Sequence, residues 1–134
     1  MFGSLDISAS ALVAQRTRLN AISANTANSN SITNAQGEYE PYRRRIPIFA
    51  PGDPATGNEM GVHVREIALD DGPLQLKYMP DHPFADENGY VGFPNINSTT
   101  EKVNALEALR AYEANVNAAE ATKTMLNQAL RLLA

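Results

Sequence analysis

Residues 98–134 read STTEKVNALEALRAYEANVNAAEATKTMLNQALRLLA, and this stretch decides the fold of the chain. Steps of four and three residues connect a row of mostly apolar side chains, which we call the predicted seam: Ala105, Leu109, Tyr112, Val116, Ala119, Lys123, Leu126, Leu130 and Leu133. That rhythm is typical of a helix packed against another helix. Ser98 and Glu101 have the spacing of a capping box, in which Ser98 caps the helix and Glu101 reaches back. We therefore predict one long helix over residues 98–134.

The N-terminal segment, residues 1–34, has the same rhythm with polar interruptions. Its seam positions are Leu5, Ser8, Leu12, Gln15, Leu19, Ile22 and Thr26. We predict that the two terminal helices form a coiled-coil-like pair. Such a pair is only modestly stable by itself, because ordering the ~3.5 positions served by each seam residue costs roughly 3.5–7 kcal/mol. Burying one leucine returns only about 1.5–3 kcal/mol.

The N-terminal segment is also unusually poor in charge. Residues 1–34 carry only Asp6, Arg16 and Arg18 as charged side chains, and the segment ends in the Asn- and Ser-rich stretch LNAISANTANSNSITN, residues 19–34. A helix that faces water usually has Glu and Lys on its outer side. We therefore expect this segment to lie against other copies or other chains. The residues expected to make helix packing or assembly contacts are Leu5, Leu12, Leu19, Ile22, Leu109, Tyr112, Val116, Leu126, Leu130 and Leu133. The amides of Asn25, Asn28 and Asn115 are expected to form interhelical or intersubunit hydrogen bonds.

The middle segment, residues 35–97, is predicted to be β-rich. Residues 43–49 alternate briefly, although Pro47 restricts them to an edge strand. Residues 62–69 and 74–78 read as strands, and Asp70-Asp71-Gly72-Pro73 between them predicts a hairpin. A slip in the alternation between Val64 and Ile67 predicts a bulge or a break in that strand. Residues 51–58 have the composition of a loop, and residues 79–97 have the composition of an irregular connector. The fold class is therefore mainly α, with a small β-rich insertion between two terminal helices.

Composition excludes several classes of function. The 134 residues carry a formal net charge of −4 with a pI near 5.1, which argues against a general nucleic-acid binder. There is no cysteine, so thiolate metal sites and disulfides are excluded. No stretch has the length of a membrane span, and no cleavable signal peptide is visible. The sequence also lacks a phosphate-binding loop and a nucleophile motif, so we expect neither an enzyme nor a cofactor.

A few polar residues could carry chemistry, and each has a simpler structural explanation. His63 lies in a predicted strand, and His82 has acidic neighbours but no second histidine at ligand spacing, so a structural hydrogen bond is favoured over a metal. Residues 86–89 lack the acidic positions of a calcium loop and predict a turn. Residues 43–45 are three arginines, which form either a solvated edge or, inside an assembly, an intersubunit contact.

Both ends of the chain also carry a family resemblance. Residues 6–10, 14–20 and 23–30, which read DISAS, AQRTRLN and SANTANSN, resemble the N-terminal signature of bacterial flagellar rod and hook proteins. RAYEANV, residues 110–116, resembles their C-terminal signature. The middle of the chain, with Tyr42-Arg43-Arg44 and the stretch 78–97, is similar to the proximal rod type within that family. The connector residues that match are His82, Pro83, Gly89, Tyr90, Pro94, Asn95 and Asn97.

The resemblance implies a structural subunit of the proximal rod of the flagellar basal body, which assembles helically through its terminal helices and transmits torque from motor to hook. It implies export by the flagellar type III apparatus without a cleavable signal peptide, and a place in the periplasmic space. The implied partners are other copies of the chain, neighbouring rod proteins, and basal-body components near the export gate and MS ring, with no nucleic acid and no small-molecule substrate. The alternatives are another axial protein of the same system and a small helical adaptor that pairs but never polymerises.

Overall fold

The computed structural model describes the backbone of residues 2–134 and the side chains of residues 3–134, so residue 1 of the predicted N-terminal segment lies outside the described part. Two helices enclose four strands in the chain order α1 (Phe2–Ala27), β1 (Arg45–Asp53), β2 (Asn58–Leu69), β3 (Gln75–Tyr78), β4 (Tyr90–Phe93) and α2 (Ser98–Leu133). The predicted fold class, two terminal helices around a small β-rich middle, is confirmed.

The start of α2 corrects the predicted capping box. Asn97 is the N-cap, and its side-chain oxygen accepts hydrogen bonds from the backbone N–H groups of Thr99 (2.9 Å) and Thr100 (3.2 Å). Ser98 is the first helical residue, and Glu101 turns inward and is buried. An asparagine caps a helix as well as a serine does, so two adjacent candidates could not be separated by residue type.

Strand pairing differs from the prediction. β1 pairs with β2 in an antiparallel hairpin, and β3 pairs with β4, so the predicted hairpin between 62–69 and 74–78 is wrong. Residues 51–53, predicted as loop, belong to β1, and Pro51 pairs with Val62. The tight turn lies after Asp53, whose carboxylate accepts hydrogen bonds from the backbone N–H of Ala55 and the hydroxyl of Thr56. Asp70 does form a local turn by accepting the Gly72 N–H, but that turn connects two sheets.

The predicted bulge in β2 is confirmed. Ile48 pairs with Glu66 and the next residue, Phe49, pairs with Val64, which leaves Arg65 as the extra residue. Pro47 lies in a two-stranded sheet, where its strand has a free edge, as predicted.

The second sheet holds the small apolar core of the middle segment. Ile32, Val91 and Phe93 are buried together, with Phe84 packed against them. The Tyr39 hydroxyl donates a hydrogen bond to the Gly92 carbonyl, which ties residues 28–44 to this sheet.

Helix α1 lies between the β1–β2 hairpin and α2. On the hairpin side, the Ser10 hydroxyl accepts the Val62 N–H at 3.1 Å. Gly61 permits this close approach, because a Cβ on it would lie 2.7 Å from Ser10 Oγ and its φ is +95°. Among the elements given above, α2 packs against α1 only. Most of the α2 surface is therefore uncovered within one chain.

Candidate assembly surface

The face of α2 that is buried against α1 consists mainly of small and polar side chains, with Leu126 as its one large aliphatic member. Glu101, Ala108 and Thr122 are buried, and Ala105, Tyr112, Asn115, Ala119 and Leu126 are half-buried between them. These positions follow steps of four and three residues, and we call them the buried row. Small side chains let two helix backbones approach closely, so this face suits an intramolecular partner.

The predicted seam is rotated away from this buried row. Every second residue of the predicted seam, from Ala105 to Leu126, also belongs to the buried row. Leu109 and Leu130, however, come one residue after a buried or half-buried alanine in the sequence, and they are 44% and 61% exposed. Leu133, at the end of α2, is 86% exposed. These three leucines are therefore exposed in a single chain, and their expected contact with other subunits stays a prediction. Of the other six seam positions, Lys123 is exposed and five are half-buried: Ala105, Tyr112, Val116, Ala119 and Leu126.

Apolar residues that are exposed or, at Val116, half-buried form a second line on α2, which we call the outer row. It consists of Leu106, Leu109, Val116 and Leu130, which follow the same helical rhythm as the buried row one residue further along the chain. Leu106 is about half exposed and Val103 nearby is more so. Glu113, Glu120 and Lys123 alternate with these side chains. The sequence alone could not distinguish the outer row from the buried row, because both follow the same steps of four and three residues.

The predicted packing residues of α1 are at least half-buried. Leu5, Leu12 and Leu19 are half-buried and Ile22 is buried. Helix α1 also buries Ser8, Ala14, Ala21 and Asn25, which reflects its position between two neighbours. Their contacts inside an assembly stay a prediction.

The three predicted amides do not form hydrogen bonds between the two helices. Asn25, only 1% exposed, bonds to β1: its amide N–H donates to the Arg45 carbonyl at 3.0 Å and its oxygen accepts the Arg45 N–H at 2.8 Å. Asn28 and Asn115 donate to carbonyls of their own helices, at Ala24 and Ala111. Asn34 likewise organises a local turn by accepting two backbone N–H groups. Asn25, Asn28 and Asn34 thus have hydrogen-bond partners inside the chain, and the expectation that the stretch also contacts other subunits stays a prediction.

An ion pair fixes the β-rich middle to α2. Arg44 donates from Nε to Glu101 Oε1, and the Glu101 side chain is 1% exposed. The other carboxylate oxygen, Glu101 Oε2, is buried without a hydrogen-bond partner among the described residues. Arg43 donates to the Gly72 carbonyl, and the Arg45 guanidinium lies over the Tyr42 ring. Arg44 is therefore an internal contact, neither the solvated edge nor the intersubunit contact that the sequence suggested.

Helix α2 extends past the N-terminal end of α1. Arg18 contacts Glu107 at 3.3 Å across the antiparallel pair, and α1 begins sixteen residues before Arg18. Sixteen residues after Glu107, α2 has reached Lys123 and continues to Leu133. Since both helices rise equally per residue, residues 124–133 project about 15 Å past Phe2, where the described part of α1 begins. We call this segment the overhang; Met125, Leu130, Leu132 and Leu133 are exposed on it.

A shallow groove lies at the opposite end of the helix pair. It has a volume of about 470 Å³ and lies between the last turns of α1 and the first turns of α2. Its lining, which we call the end groove, includes Leu19, Ile22, Ser23, Thr26, Glu101 and Ala105. Most of the lining is small or apolar, and Glu101 and Lys102 are its charged members.

The connector residues shared with the rod family serve the second sheet and the start of α2. Asp86 accepts the N–H groups of Asn88 and Tyr90, and Gly89 adopts φ +84°, which confirms the predicted turn. Tyr90 opens β4 and lies edge-on to Tyr78, with ring centroids 5.4 Å apart. Pro94 is buried and Asn97 caps α2, whereas Pro83 and Asn95 are exposed.

The histidines form hydrogen bonds, as predicted for His82. Its Nδ1 accepts the Phe84 N–H at 3.1 Å, and His63 Nδ1 lies 2.8 Å from the Gly52 carbonyl oxygen. Within residues 2–134, no three His, Asp or Glu side chains are grouped to hold a metal ion. Neither described helix has the length and apolar character needed to cross a membrane.

Comparison with known proteins identifies one matching family and several relatives that align with most of the chain. Residues 87–132 match the family described as flagellar basal body rod FlgEFG protein C-terminal. The flagellar basal-body rod protein FlgC of Salmonella typhimurium is 41% identical over 95% of this chain and 93% of its own length. The protein of that name from Bacillus subtilis is 40% identical over 98% of this chain and 97% of its own length. The one from Aquifex aeolicus is 40% identical over 96% of this chain and 93% of its own length.

Proposed function

Because the chain belongs to the FlgC family of flagellar basal-body rod proteins, we propose that it is a structural subunit of the flagellar rod. It assembles helically through its terminal helices, and the assembled rod transmits torque from motor to hook. The subunit acts by mechanical contact and performs no catalysis. The observation that carries the proposal is the outer row of α2, which one chain leaves uncovered.

The energetics of the outer row favour a polymer over an isolated dimer. Burying one exposed leucine contributes about 1.5–3 kcal/mol. Association costs an estimated 4–15 kcal/mol in lost translational and rotational freedom, so two or three leucines barely offset it. A subunit that is held by several neighbours at once loses that freedom only once. The outer row therefore suits a lattice in which each subunit has many neighbours.

The proposed role implies which proteins the subunit contacts and where in the cell it is located. The partners are other rod subunits, both copies of this chain and related rod proteins, together with components at the base of the rod near the export gate and the MS ring. The subunit reaches the periplasmic space through the flagellar export apparatus.

The test introduces charge into the outer row. Leu106→Glu/Leu109→Glu should fold normally, since both side chains are already about half exposed, but it should fail to build a rod. Far-UV circular dichroism and the urea midpoint of the purified variant report folding. Swimming, and rods counted by electron microscopy in a strain that lacks its own copy of the gene, report assembly.

Asn117→Glu/Ala121→Glu is the matched control. It adds the same two charges at exposed positions on the side of α2 opposite the buried row. This control should swim like the unmodified strain. Normal swimming of the outer-row variant, or equal failure of both variants, would rule out the outer row as an assembly surface.

A further inference from the structure

The second sheet has one edge that no other part of the chain covers. We propose that this edge, strand β3 (Gln75–Tyr78), is a docking site for an extended, basic segment of another protein. The segment adds a third strand beside β3, and its alternate side chains lie along the exposed face of the second sheet. Among the helices and strands, β3 contacts β4 only, so this surface is separate from the helix pair.

One edge of β3 is hydrogen-bonded to β4 and the other is free. The Met79 N–H donates to the Gly89 carbonyl at 2.8 Å, which makes Tyr78 and Tyr90 a non-hydrogen-bonded pair of the antiparallel ladder. The N–H and C=O groups of Tyr78, and those of Leu76 two residues earlier, therefore point away from β4. These four groups have no hydrogen-bond partner among the described residues. Unpaired backbone groups in a row at a sheet edge are a template for an added strand.

Large apolar side chains flank this free edge. Leu76 and Tyr78 are two residues apart and share one face of the sheet, and Tyr90, opposite Tyr78, lies on the same face. Leu76 and Tyr78 are each 66% exposed, and Tyr90 is exposed as well. Lys77, the one charged residue of β3, lies over the Phe93 ring on the opposite face, 4.4 Å from the ring centre. The edge therefore lacks the outward charge or proline that commonly protects such edges from pairing.

The charge around the edge specifies a basic partner. Residues 70–97, which contain the second sheet and its connectors, carry five acidic side chains against one lysine, so their formal net charge is −4. This equals the formal charge of the whole chain, and the other residues are neutral overall. Four of the five carboxylates are exposed: Asp71, Asp81, Asp86 and Glu87. Lysine or arginine side chains on the incoming strand are attracted to these carboxylates, whereas an acidic segment is repelled.

The basic run of this chain is not available as the occupant. Residues 43–45 lead into β1, but the backbone N–H and C=O of Arg45 are both hydrogen-bonded to the Asn25 side chain. β1 itself contains Pro47 and Pro51, which lack the N–H that an added strand must donate. The occupant is therefore a segment of a different protein.

An NMR titration of the full chain with synthetic peptides tests the site. The probe is acetyl-Lys-Val-Arg-Val-Lys-Val-amide, and the comparison peptide carries Glu, Asp and Glu in place of its three basic residues. The basic peptide should shift the backbone amide signals of Leu76 and Tyr78 most, and it should bind about tenfold more tightly than the acidic peptide. The basic peptide with every backbone amide N-methylated keeps its charges but cannot donate hydrogen bonds, and it should bind about tenfold more weakly.

Leu76→Pro is the matched protein variant. It removes one free N–H of the edge and leaves the ladder to β4 intact, because Gln75 and Lys77 make that ladder. Leu76→Ala is its control, since it shortens the same side chain and keeps the N–H. Leu76→Pro should bind the basic peptide about tenfold more weakly than Leu76→Ala does. If Leu76→Pro does not fold, the N-methylated peptide still tests the edge with the unmodified protein.

Three results would overturn the proposed site. They are equal affinity for the basic, acidic and N-methylated peptides, signal shifts centred on either helix, and no binding at millimolar peptide. Shifts of the β3 amide signals with protein concentration alone, without peptide, would identify a second copy as the occupant and overturn the proposed partner. None of these results bears on the rod function, which is tested separately by the swimming of the outer-row variant.

Discussion

The ion pair between Arg44 and Glu101 should be the most sensitive link between the β-rich middle and the helices. Arg44→Ala would leave the Glu101 carboxylate buried with no partner on either oxygen. Removing one member of a buried pair costs roughly 3–5 kcal/mol. Because the Arg44 side chain is 24% exposed and water can replace part of it, we expect a loss of about 2–4 kcal/mol in the free energy of unfolding.

Urea unfolding followed by far-UV circular dichroism measures this loss. With a slope of about 2 kcal/mol per molar urea, the midpoint should fall by about 1–2 M without a change in slope. Arg18→Ala is the control, because its partner Glu107 is 67% exposed and exposed pairs contribute only about 0–1 kcal/mol. Arg44→Met/Glu101→Leu, which removes both charges and keeps the volume, should recover most of the loss. Equal midpoints for Arg44→Ala and Arg18→Ala, or a double variant as unstable as the sum of its single variants, would refute the reasoning.

Two further predictions concern the hairpin. Gly61→Ala should lower the unfolding free energy by about 1–3 kcal/mol, because it combines φ +95° with an approach of 2.7 Å to Ser10 Oγ. Thermal unfolding should show a lower midpoint than for Gly37→Ala, where φ is +82° and no atom lies within 4 Å, and equal midpoints would contradict the close approach. The hydrogen bond from the Thr56 hydroxyl, and then one from a backbone N–H, hold the pKa of Asp53 below its ordinary 3.8. Thr56→Val should raise the pKa of Asp53 in an NMR titration. A carboxyl pKa that is lowered in the folded state stabilises the fold at pH values above the unfolded-state pKa, and this stabilisation is lost as the pH falls through the folded-state pKa. The difference in stability between Thr56→Val and the unmodified protein should therefore vanish in strong acid.

Local rules recover those parts of the fold that local interactions determine. The two helices follow from a four-and-three rhythm sustained over many turns, and the bulge at Arg65 follows from one slip in an alternating strand. Strand pairing was mispredicted because both the turn after Asp53 and the turn at Asp70 have favourable chemistry. Which turn joins two strands of one sheet depends on contacts distant in sequence, such as the Val62 N–H on Ser10. That information is not contained in turn composition.

The sequence predicted that α2 carries an apolar packing surface, but it did not predict which side of the helix faces α1. Apolar spacing on α2 reports every contact that the helix makes in its final state, whether the partner is α1 or another subunit. Two overlapping rows, one around Ala108 and one around Leu109, therefore merge into a single seam. The role of Glu101 was missed for a related reason, since its spacing from Ser98 also fits a capping box. Only the position of Arg44 in space separates the two roles.

The division of α2 into two rows suggests why a subunit can fold before it polymerises. The helix pair packs mainly through the alanines and the polar side chains of the buried row, so folding of one chain leaves Leu106, Leu109 and Leu130 exposed. Had the leucines formed the intramolecular face, the surface left for neighbours would be mostly charged or small, and contacts between subunits would be weak. The acidic and basic side chains interleaved with the outer row limit the size of each exposed apolar patch, which reduces premature association of free subunits. If the outer row is the assembly surface that we propose, substitutions in the two rows should have separable effects on stability and on rod formation.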